Sequence, residues 1–140
     1  MSDMFAGMDI SASGLSAERA RMNVISNNLA NANTTHGPGG KPFIRKMVVF
    51  REILSDAVDE DNITGNGVEV MDIVDSKEPL RKIFDPSHPD ADENGMVAYP
   101  NVNPVEEMVD IITASRASEA NIAAFNAAKA MANKALELGQ

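Results

Sequence analysis

Apolar side chains recur with helical spacing in the first third of the chain. The repeat consists of Met8, Leu15, Met22, Ile25 and Leu29. Their separations of seven, seven, three and four residues place them along one face of a helix. Gly7 and Gly14 each cost about 1 kcal/mol relative to alanine inside a helix. We therefore expect an amphipathic helix that starts late or forms only when packed, and that ends before the glycine-rich residues 37–40.

The last third of the chain predicts a longer helix. Asn103 can cap it, Pro104 suits its first turn, and Glu106 stands at capping-box spacing from Asn103. Neither Pro nor Gly interrupts the stretch from Val105 to Leu138, and a glycine follows as a stop signal. Residues at 3-4 spacing form a second seam, which consists of Met108, Ile111, Ser115, Ser118, Ile122, Phe125, Lys129, Ala132 and Leu136.

The middle of the chain favours short strands separated by turns. The β-prone residues are Phe43–Ile44, Met47–Phe50, Val68, Val70, Ile73, Leu80–Phe84 and Met96–Tyr99. The predicted fold is mainly α with a small β-rich insert. Long N- and C-terminal helices form a coiled-coil-like core, and the central β and loop segment lies outside it. The corresponding segments are residues 1–35, 36–101 and 102–140.

Composition and charge exclude several classes of protein. The chain has 140 residues, a net charge of −9, no Cys, no Trp and only 4% aromatic residues. Without Cys, a disulfide framework, a zinc finger and a thiol nucleophile are excluded. Most of the acidic residues lie in residues 52–93, and no basic patch offers the clustered cations that nucleic-acid binding needs. We also expect no cleaved secretory signal and no transmembrane helix, because no long apolar run is present.

The pattern that most resembles a ligand site is the segment Asp90–Gly95. It matches the first six positions of an EF-hand calcium loop, but its twelfth position is Asn101, where a bidentate Glu is required. His36 and His88 stand far from carboxylates at ligand spacing, so we expect neither to bind a metal or act as a base. No nucleophile elbow or dinucleotide fingerprint is present. The sequence therefore predicts no enzyme and no cofactor.

Two segments near the N-terminus carry a resemblance to a known family. Ala12–Ala17 and Ser26–Thr34 resemble the N-terminal signature of the bacterial flagellar rod and hook (axial) family. The segments Asp85–Gly95, Pro100–Asn103 and Glu106–Met108 are similar to the proximal-rod branch of that family. The resemblance spans nearly the whole chain, and the eleven-residue loop Asp85–Gly95 is the most specific part of it.

The resemblance implies a structural subunit of the flagellar basal-body rod. Members of the family leave the cytoplasm unfolded through the flagellar type III export apparatus and polymerise into a helical tube. The tube spans the periplasm from the inner-membrane ring and transmits torque for swimming. The implied partners are other copies of the chain, other rod proteins, components of the inner-membrane ring and export gate, and transiently the export apparatus. Nucleic acid, small-molecule substrates and integration into a membrane are not expected.

The expected subunit interface combines both helical seams with the asparagines at the end of the first helix. It consists of Met8, Leu15, Met22, Ile25, Asn27, Asn28, Leu29, Asn31, Met108, Ile111, Ile112, Ile122, Phe125 and Leu136. We expect the asparagine amides to fix the register between subunits. The family-signature loop consists of Asp85, Pro86, His88, Pro89, Asp90, Asp92, Asn94 and Gly95. Two alternatives stay open, a soluble acidic calcium-binding helical module and a secreted coiled-coil effector.

Overall fold

The computed structural model describes residues 2–54 and 65–138. It contains two long helices, one at each end of the described chain, and two small antiparallel sheets between them in sequence. The elements are α1 (Ser2–Ala30), β1 (Lys46–Leu54), β2 (Gly65–Asp75), β3 (Arg81–Phe84), β4 (Met96–Tyr99) and α2 (Pro104–Leu138). The predicted fold class, mainly α with a small β-rich insert, is confirmed. The acidic stretch of residues 55–64 and the glycine predicted to stop α2 lie outside the described residues.

Helices α1 and α2 run antiparallel and pack against each other along their length. Two contacts fix their alignment, Gly14 against Asn121 and Asn28 against Glu107. A Cβ atom at Gly14 would lie only 2.8 Å from Nδ2 of Asn121, so the missing side chain allows the two helices to approach closely. The expected late start of α1 is not observed, because the helix begins at Ser2 and runs through both glycines. Packing against α2 offsets the local cost of the glycines.

Helix α2 begins at Pro104, in the first turn that the sequence predicts. The Asn103 side chain caps it, since its Oδ1 accepts a hydrogen bond from the Val105 N–H at 3.1 Å. The Asn103 carbonyl accepts the first helical bond from the Glu107 N–H at 3.0 Å. This cap fixes the rotation of the first turn of α2, and with it the side chains that point towards α1.

Strands β1 and β2 form a hairpin that packs on one side of α1. Lys46 is paired with Asp75 at the open end, where their side chains form a 2.8 Å ion pair. Met71 is the extra residue of a bulge in β2, opposite Val49 and Phe50. At the other end, the Val68 N–H donates a 3.1 Å hydrogen bond to Ser13 Oγ of α1. The Lys46 backbone is also hydrogen-bonded to Asn28 of α1, so the hairpin is held to the helix at both ends.

Strands β3 and β4 form a second, shorter hairpin, which carries the loop Asp85–Gly95 at its turn. Val97 of β4 and Val102 beyond it are fully buried, whereas all four residues of β3 are exposed. The buried apolar residues of the described chain are mostly alanines, namely Ala17, Ala32, Ala114, Ala128 and Ala132, with Ile25, Val97 and Val102. A core of such small side chains removes little apolar area from water.

The two glycines of α1 provide a matched test of the helix contact. We expect Gly7→Ala to raise the free energy of unfolding by up to about 1 kcal/mol, because nothing lies within 4 Å of its added Cβ. Gly14→Ala should gain less or be destabilising, since Asn121 must move. Urea unfolding followed by circular dichroism measures both changes. An equal gain at the two positions would show that the helices do not approach closely at Gly14.

Candidate assembly site

A carboxylate lies fully buried where the two helices meet the hairpin. Glu107 has 0% of its surface exposed, and Asn28 beside it has 1%. Nδ2 of Asn28 donates to Glu107 Oε2 at 3.0 Å and to the Lys46 carbonyl at 2.8 Å. Oδ1 of Asn28 accepts from the Lys46 N–H at 2.9 Å. One amide of α1 thus pairs with the backbone of β1 as a neighbouring strand would, and also holds the carboxylate of α2.

Arg45 supplies the counter-charge for this buried carboxylate. Its Nε donates to Glu107 Oε1, and its Nη2 lies 3.3 Å from Asp110 Oδ2. The hydrogen bond to Glu107 raises the pKa of Arg45 above its ordinary value, against the opposing effect of burial, and the charges of Glu107, Asp110 and Glu78 act in the same direction. The guanidinium therefore stays charged, and both oxygens of Glu107 have a hydrogen-bond donor.

Asn101 extends the network to the second hairpin. Its Oδ1 accepts from the Arg45 N–H at 2.8 Å, and its Nδ2 donates to the Glu78 carbonyl at 2.9 Å. We call Asn28, Arg45, Asn101 and Glu107 the buried anchor. The anchor joins α1, the segment before β1, the segment after β2 and the start of α2. Because each member has a partner from another segment, the parts of the fold are held in one arrangement.

Seven of the predicted interface residues share one side of the helix pair. A helix turns about 100° per residue. Relative to Asn28, Ser13 and Val24 of α1 lie about 40–60° towards the hairpin. Ser13 is hydrogen-bonded to the hairpin, and Val24 lines a cavity together with residues of β1. The seam residues of α1 lie about 100–160° in the opposite direction; they are Met8, Leu15, Met22 and Leu29. This part of α1 therefore points away from the hairpin.

Helix α2 adds large apolar side chains to the same side. Relative to Glu107, Asp110 lies about 60° towards the hairpin, whereas Met108, Ile112 and Ile122 lie about 60–140° in the other direction. The two rotations lead to the same side because the helices are antiparallel. Met108, Ile112 and Ile122 are 46%, 54% and 48% exposed. We call the seven residues Met8, Leu15, Met22, Leu29, Met108, Ile112 and Ile122 the open face.

The remaining predicted interface residues lie elsewhere. Ile25 is buried, and Ile111 and Phe125 are half-buried near the contact line of the two helices. Leu136 is exposed beyond the level at which α1 begins. Asn27 is exposed, and its carbonyl accepts a 2.9 Å hydrogen bond from Nδ2 of Asn31. The Asn28 amide is fully engaged within its own chain and is not available to a neighbouring subunit.

Hydrogen bonds within the signature loop hold it in a compact turn. Asp85 Oδ1 accepts from the Ser87 N–H and hydroxyl, and Asp92 Oδ1 accepts from the Asn94 and Met96 N–H groups at 2.8 Å. Gly95 has φ of 73°, in the left-handed region that favours glycine. The loop residues Pro86 and Pro89 are exposed between these turns. The segment is thus a structural turn built from side-chain to backbone bonds.

Asp90 connects the loop to the segment after α1. Its Oδ2 accepts a 2.8 Å hydrogen bond from the Thr35 hydroxyl, and its Oδ1 lies 3.4 Å from His36 Nδ1. His88 Nδ1 accepts the Asp90 N–H at 3.1 Å. The sequence spacing did not indicate that both histidines would lie beside one carboxylate. Among residues 2–54 and 65–138, no group of three His, Asp or Glu side chains is arranged to hold a metal ion.

Comparison with known proteins places the chain in a family. The model described as flagella basal body rod protein matches residues 8–38, and the model described as flagellar basal body rod FlgEFG protein C-terminal matches residues 93–138. The flagellar basal-body rod protein FlgC of Borreliella burgdorferi is 41% identical over 149 aligned residues, covering 98% of each chain. The chain belongs to the flagellar basal-body rod protein family.

Other members of the rod protein family match equally well. FlgC of Bacillus subtilis is 42% identical over 147 residues, covering 97% of this chain and 98% of the relative. FlgC of Salmonella typhimurium is 44% identical over 132 residues, covering 94% and 95%. Both family matches include residues of the open face, because Met8 to Leu29 fall in the first and Met108 to Ile122 in the second. In the described parts of this rod protein, neither helix is apolar enough over a sufficient length to cross a membrane.

Sequence reasoning missed three of the four residues of the buried anchor. Arg45 is followed by Lys46, and Glu107 is preceded by Glu106, so the sequence does not distinguish either residue from its charged neighbour. One signal was available, since Glu107 lies seven residues before Ala114 and therefore on the same face of α2 as that buried alanine. The position of Asn101 in a loop gave no comparable signal.

Two adjacent glutamates test the buried anchor. We expect Glu107→Ala to lower the free energy of unfolding by about 3 kcal/mol, because it removes the buried partner of Arg45 Nε and an acceptor of Asn28. Of its two carboxylate partners, Arg45 then keeps only Asp110. Glu106→Ala, at an exposed neighbouring position, should change it by less than about 0.5 kcal/mol. Urea unfolding of both variants gives the comparison. Similar effects at the two positions would contradict the anchor.

Two adjacent asparagines test the role of the amide. Asn28→Asp keeps the shape but removes the donor and brings a second carboxylate next to Glu107, so we expect a loss of about 2–3 kcal/mol. Asn27→Asp places the same charge in solvent and should have an effect below about 0.5 kcal/mol. Thermal unfolding at neutral pH measures the stability of the two variants. An Asn28→Asp protein as stable as the parent would contradict the observed hydrogen bonds.

Proposed function

We propose that this chain is a structural, non-enzymatic subunit of the bacterial flagellar basal-body rod, and that it assembles by burying the open face against neighbouring subunits. The membership of the rod protein family supports the structural role. The open face supports the mode of assembly, because apolar side chains of both helices lie on one side of the molecule. Four of them are exposed, namely Leu29, Met108, Ile112 and Ile122. This open face is the observation that carries the proposal.

The small core supports a link between folding and assembly. Most buried apolar side chains are alanines, and Met108, Ile112 and Ile122 stay half exposed in the isolated chain. Burial of these side chains by neighbours would add the apolar contacts that the single chain lacks. Subunits would therefore gain much of their stability in the polymer, which favours assembly at the rod over assembly in the cytoplasm.

Passage through the flagellar type III export apparatus fits the same features. A chain without Cys forms no disulfides that would resist unfolding, and a core of small side chains costs little to open. The further partners that we propose are other rod proteins, the inner-membrane ring with its export gate, and transiently the export apparatus itself. The site of action would be the rod, across the periplasm.

The two alternatives have less support. In a calcium-binding module, the carboxylates of the loop would be free for a cation, whereas Asp92 accepts two backbone N–H groups and Asp90 the Thr35 hydroxyl. If the chain were a secreted coiled-coil effector, we would expect its function to depend on the two helices alone. The match to rod proteins instead covers 94–98% of the chain, including the central β-rich segment. No observation favours either alternative over a rod subunit.

A matched pair of isoleucines tests the open face. We expect Ile112→Asp to abolish swimming and rod formation in the native bacterium, because it introduces a charge where neighbours would bury an apolar side chain. Ile83→Asp changes a similarly exposed isoleucine on β3, away from the open face, and should leave rods intact. Swimming halos and electron microscopy of purified hook–basal bodies give the readout.

The same experiment includes a strain that lacks the gene. Loss of rods in this strain is required for the structural role, and normal rods would refute it. If rods require the gene but form normally with Ile112→Asp, the subunit is structural and the open face is not its interface. Circular dichroism of both purified variants checks that their helix content equals that of the parent protein.

A further inference from the structure

Two buried oxygens of the helix pair have no hydrogen-bond partner within the described residues. They are Oε2 of Glu18 in α1 and Oγ of Ser118 in α2. The contacts of Gly14 with Asn121 and of Asn28 with Glu107 place Glu18 at the level of residues 117–118 of the antiparallel helix. The two unpartnered groups therefore belong to one layer of the helix interface. Buried polar groups without partners are rare in native proteins, so this layer indicates a missing donor.

The described residues 2–54 and 65–138 supply no donor at this layer. Arg21 is the nearest cation, but its Nη1 is 3.9 Å from Glu18 Oε2, beyond hydrogen-bond distance. Arg21 also lies 3.7 Å from Asp110, towards the hairpin. The Glu18 side chain as a whole is 18% exposed although its Oε2 is buried, so a donor from another molecule reaches this oxygen when the side chain turns outwards. The attraction of Arg21 reduces the cost of the buried charge without filling its hydrogen-bonding capacity.

Glu18 lies at the edge of the open face, so its side chain turns outwards on that side. Glu18 is about 80° round from Asn28, in the same direction as Leu15 and Met22, which lie one turn before and after it. A donor that reaches Glu18 must therefore come from a molecule packed on the open face. The donor group must be cationic or an amide, and it must satisfy a carboxylate and a hydroxyl together. A guanidinium with five N–H groups suits this combination best.

Arg116 of another copy has the required chemistry and position. It is exposed on α2, one turn after Ile112 and about 180° round from Glu107, so it points directly away from α1. In the part of the chain that the structure describes, no carboxylate oxygen lies within the 4.0 Å of an ion pair with Arg116. Val105 and Val109 lie on the same outer side and are exposed, so an apolar surface accompanies the cation.

We propose that Arg116 of one subunit inserts between Glu18 and Ser118 on the open face of the next copy of this chain. The inference rests on the proposed function, since it specifies how copies meet in the rod. The two surfaces differ, because the donor is on the outer side of α2 and the acceptors are on the open face. Such a head-to-tail contact does not close on itself in a dimer and can continue as a helical polymer.

Charge exchange in the native bacterium tests this contact. We expect Glu18→Arg and Arg116→Glu each to reduce rod-bearing particles by about tenfold or more, because each places like charges together at the contact. The double variant Glu18→Arg with Arg116→Glu should restore rods to within about twofold of the parent, since it re-forms the pair in reverse. Arg19→Glu, an exposed position next to Glu18, is the control and should leave rods unchanged.

The outcomes separate this inference from the proposed function. Normal rods in a strain without the gene would refute the rod role itself. If the gene is required but either single variant forms normal rods, or the double variant is no better than the worse single one, the pairing of Glu18 with Arg116 is wrong. Either of these two results would mean that water or a different rod protein supplies the hydrogen bonds at the Glu18 layer.

A cysteine test covers the case in which charge reversal disturbs folding. The chain has no Cys, so co-expressed Glu18→Cys and Arg116→Cys subunits contain the only thiols of this protein. Mild oxidation of purified basal bodies should give a disulfide-linked dimer on non-reducing gels, detected with an antibody to the chain. Co-expressed Arg19→Cys and Arg116→Cys subunits should give none. Equal cross-linking of both pairs, or of neither pair in assembled rods, would overturn the contact.

Discussion

The burial of the Glu107 carboxylate between Asn28 and Arg45 is the interaction on which the rest of the structure depends. An isolated carboxylate in this position would be strongly disfavoured, so α2 packs with Glu107 buried only together with α1 and Arg45. The same amide that holds Glu107 also holds the backbone of Lys46. Helix alignment and hairpin position are thereby set by one group of side chains.

The anchor determines which residues are left for other subunits. It fixes the rotation of both helices, so that their hairpin side is covered and the open face is not. Apolar burial inside the chain is modest, because alanines dominate the contact between the helices. A buried polar network specifies one arrangement more than it adds stability, and neighbours that cover the open face would supply the remaining apolar contacts. Specificity and stability thus come from different parts of the molecule.

Local sequence signals predicted the elements well and their mutual contacts poorly. The heptad from Met8 to Leu29, the Asn103 cap and the β-prone stretches around Val48 and Val97 are short-range patterns, and each corresponds to an observed element. Of the two alternatives for α1, a late start was wrong, and a helix that depends on packing stays a prediction. The cost of Gly14 is local, whereas its benefit, the close approach of Asn121, depends on another helix.

The residues of the candidate site also divide into those that short-range patterns predict and those that depend on contacts between distant segments. The seam residues that form the open face could be found from periodicity alone, since spacing determines which side chains share a side. The roles of Asn28 and Glu107 could not, because they depend on the antiparallel alignment of segments far apart in the chain. Of three asparagines expected to act between subunits, Asn28 acts within its own chain, and its neighbour Asn27 differs from it only by one step of helix rotation.

Methionine oxidation footprinting would test most directly whether the open face is buried in the rod. The free protein exposes Met108 on the open face and Met71 in the bulge of the hairpin. Brief peroxide treatment of the purified protein and of hook–basal bodies, followed by mass spectrometry, gives the oxidation rate of each. We predict that assembly slows the oxidation of Met108 by at least about tenfold and slows that of Met71 much less. Oxidation of Met108 at the same rate in both samples would contradict burial of the open face.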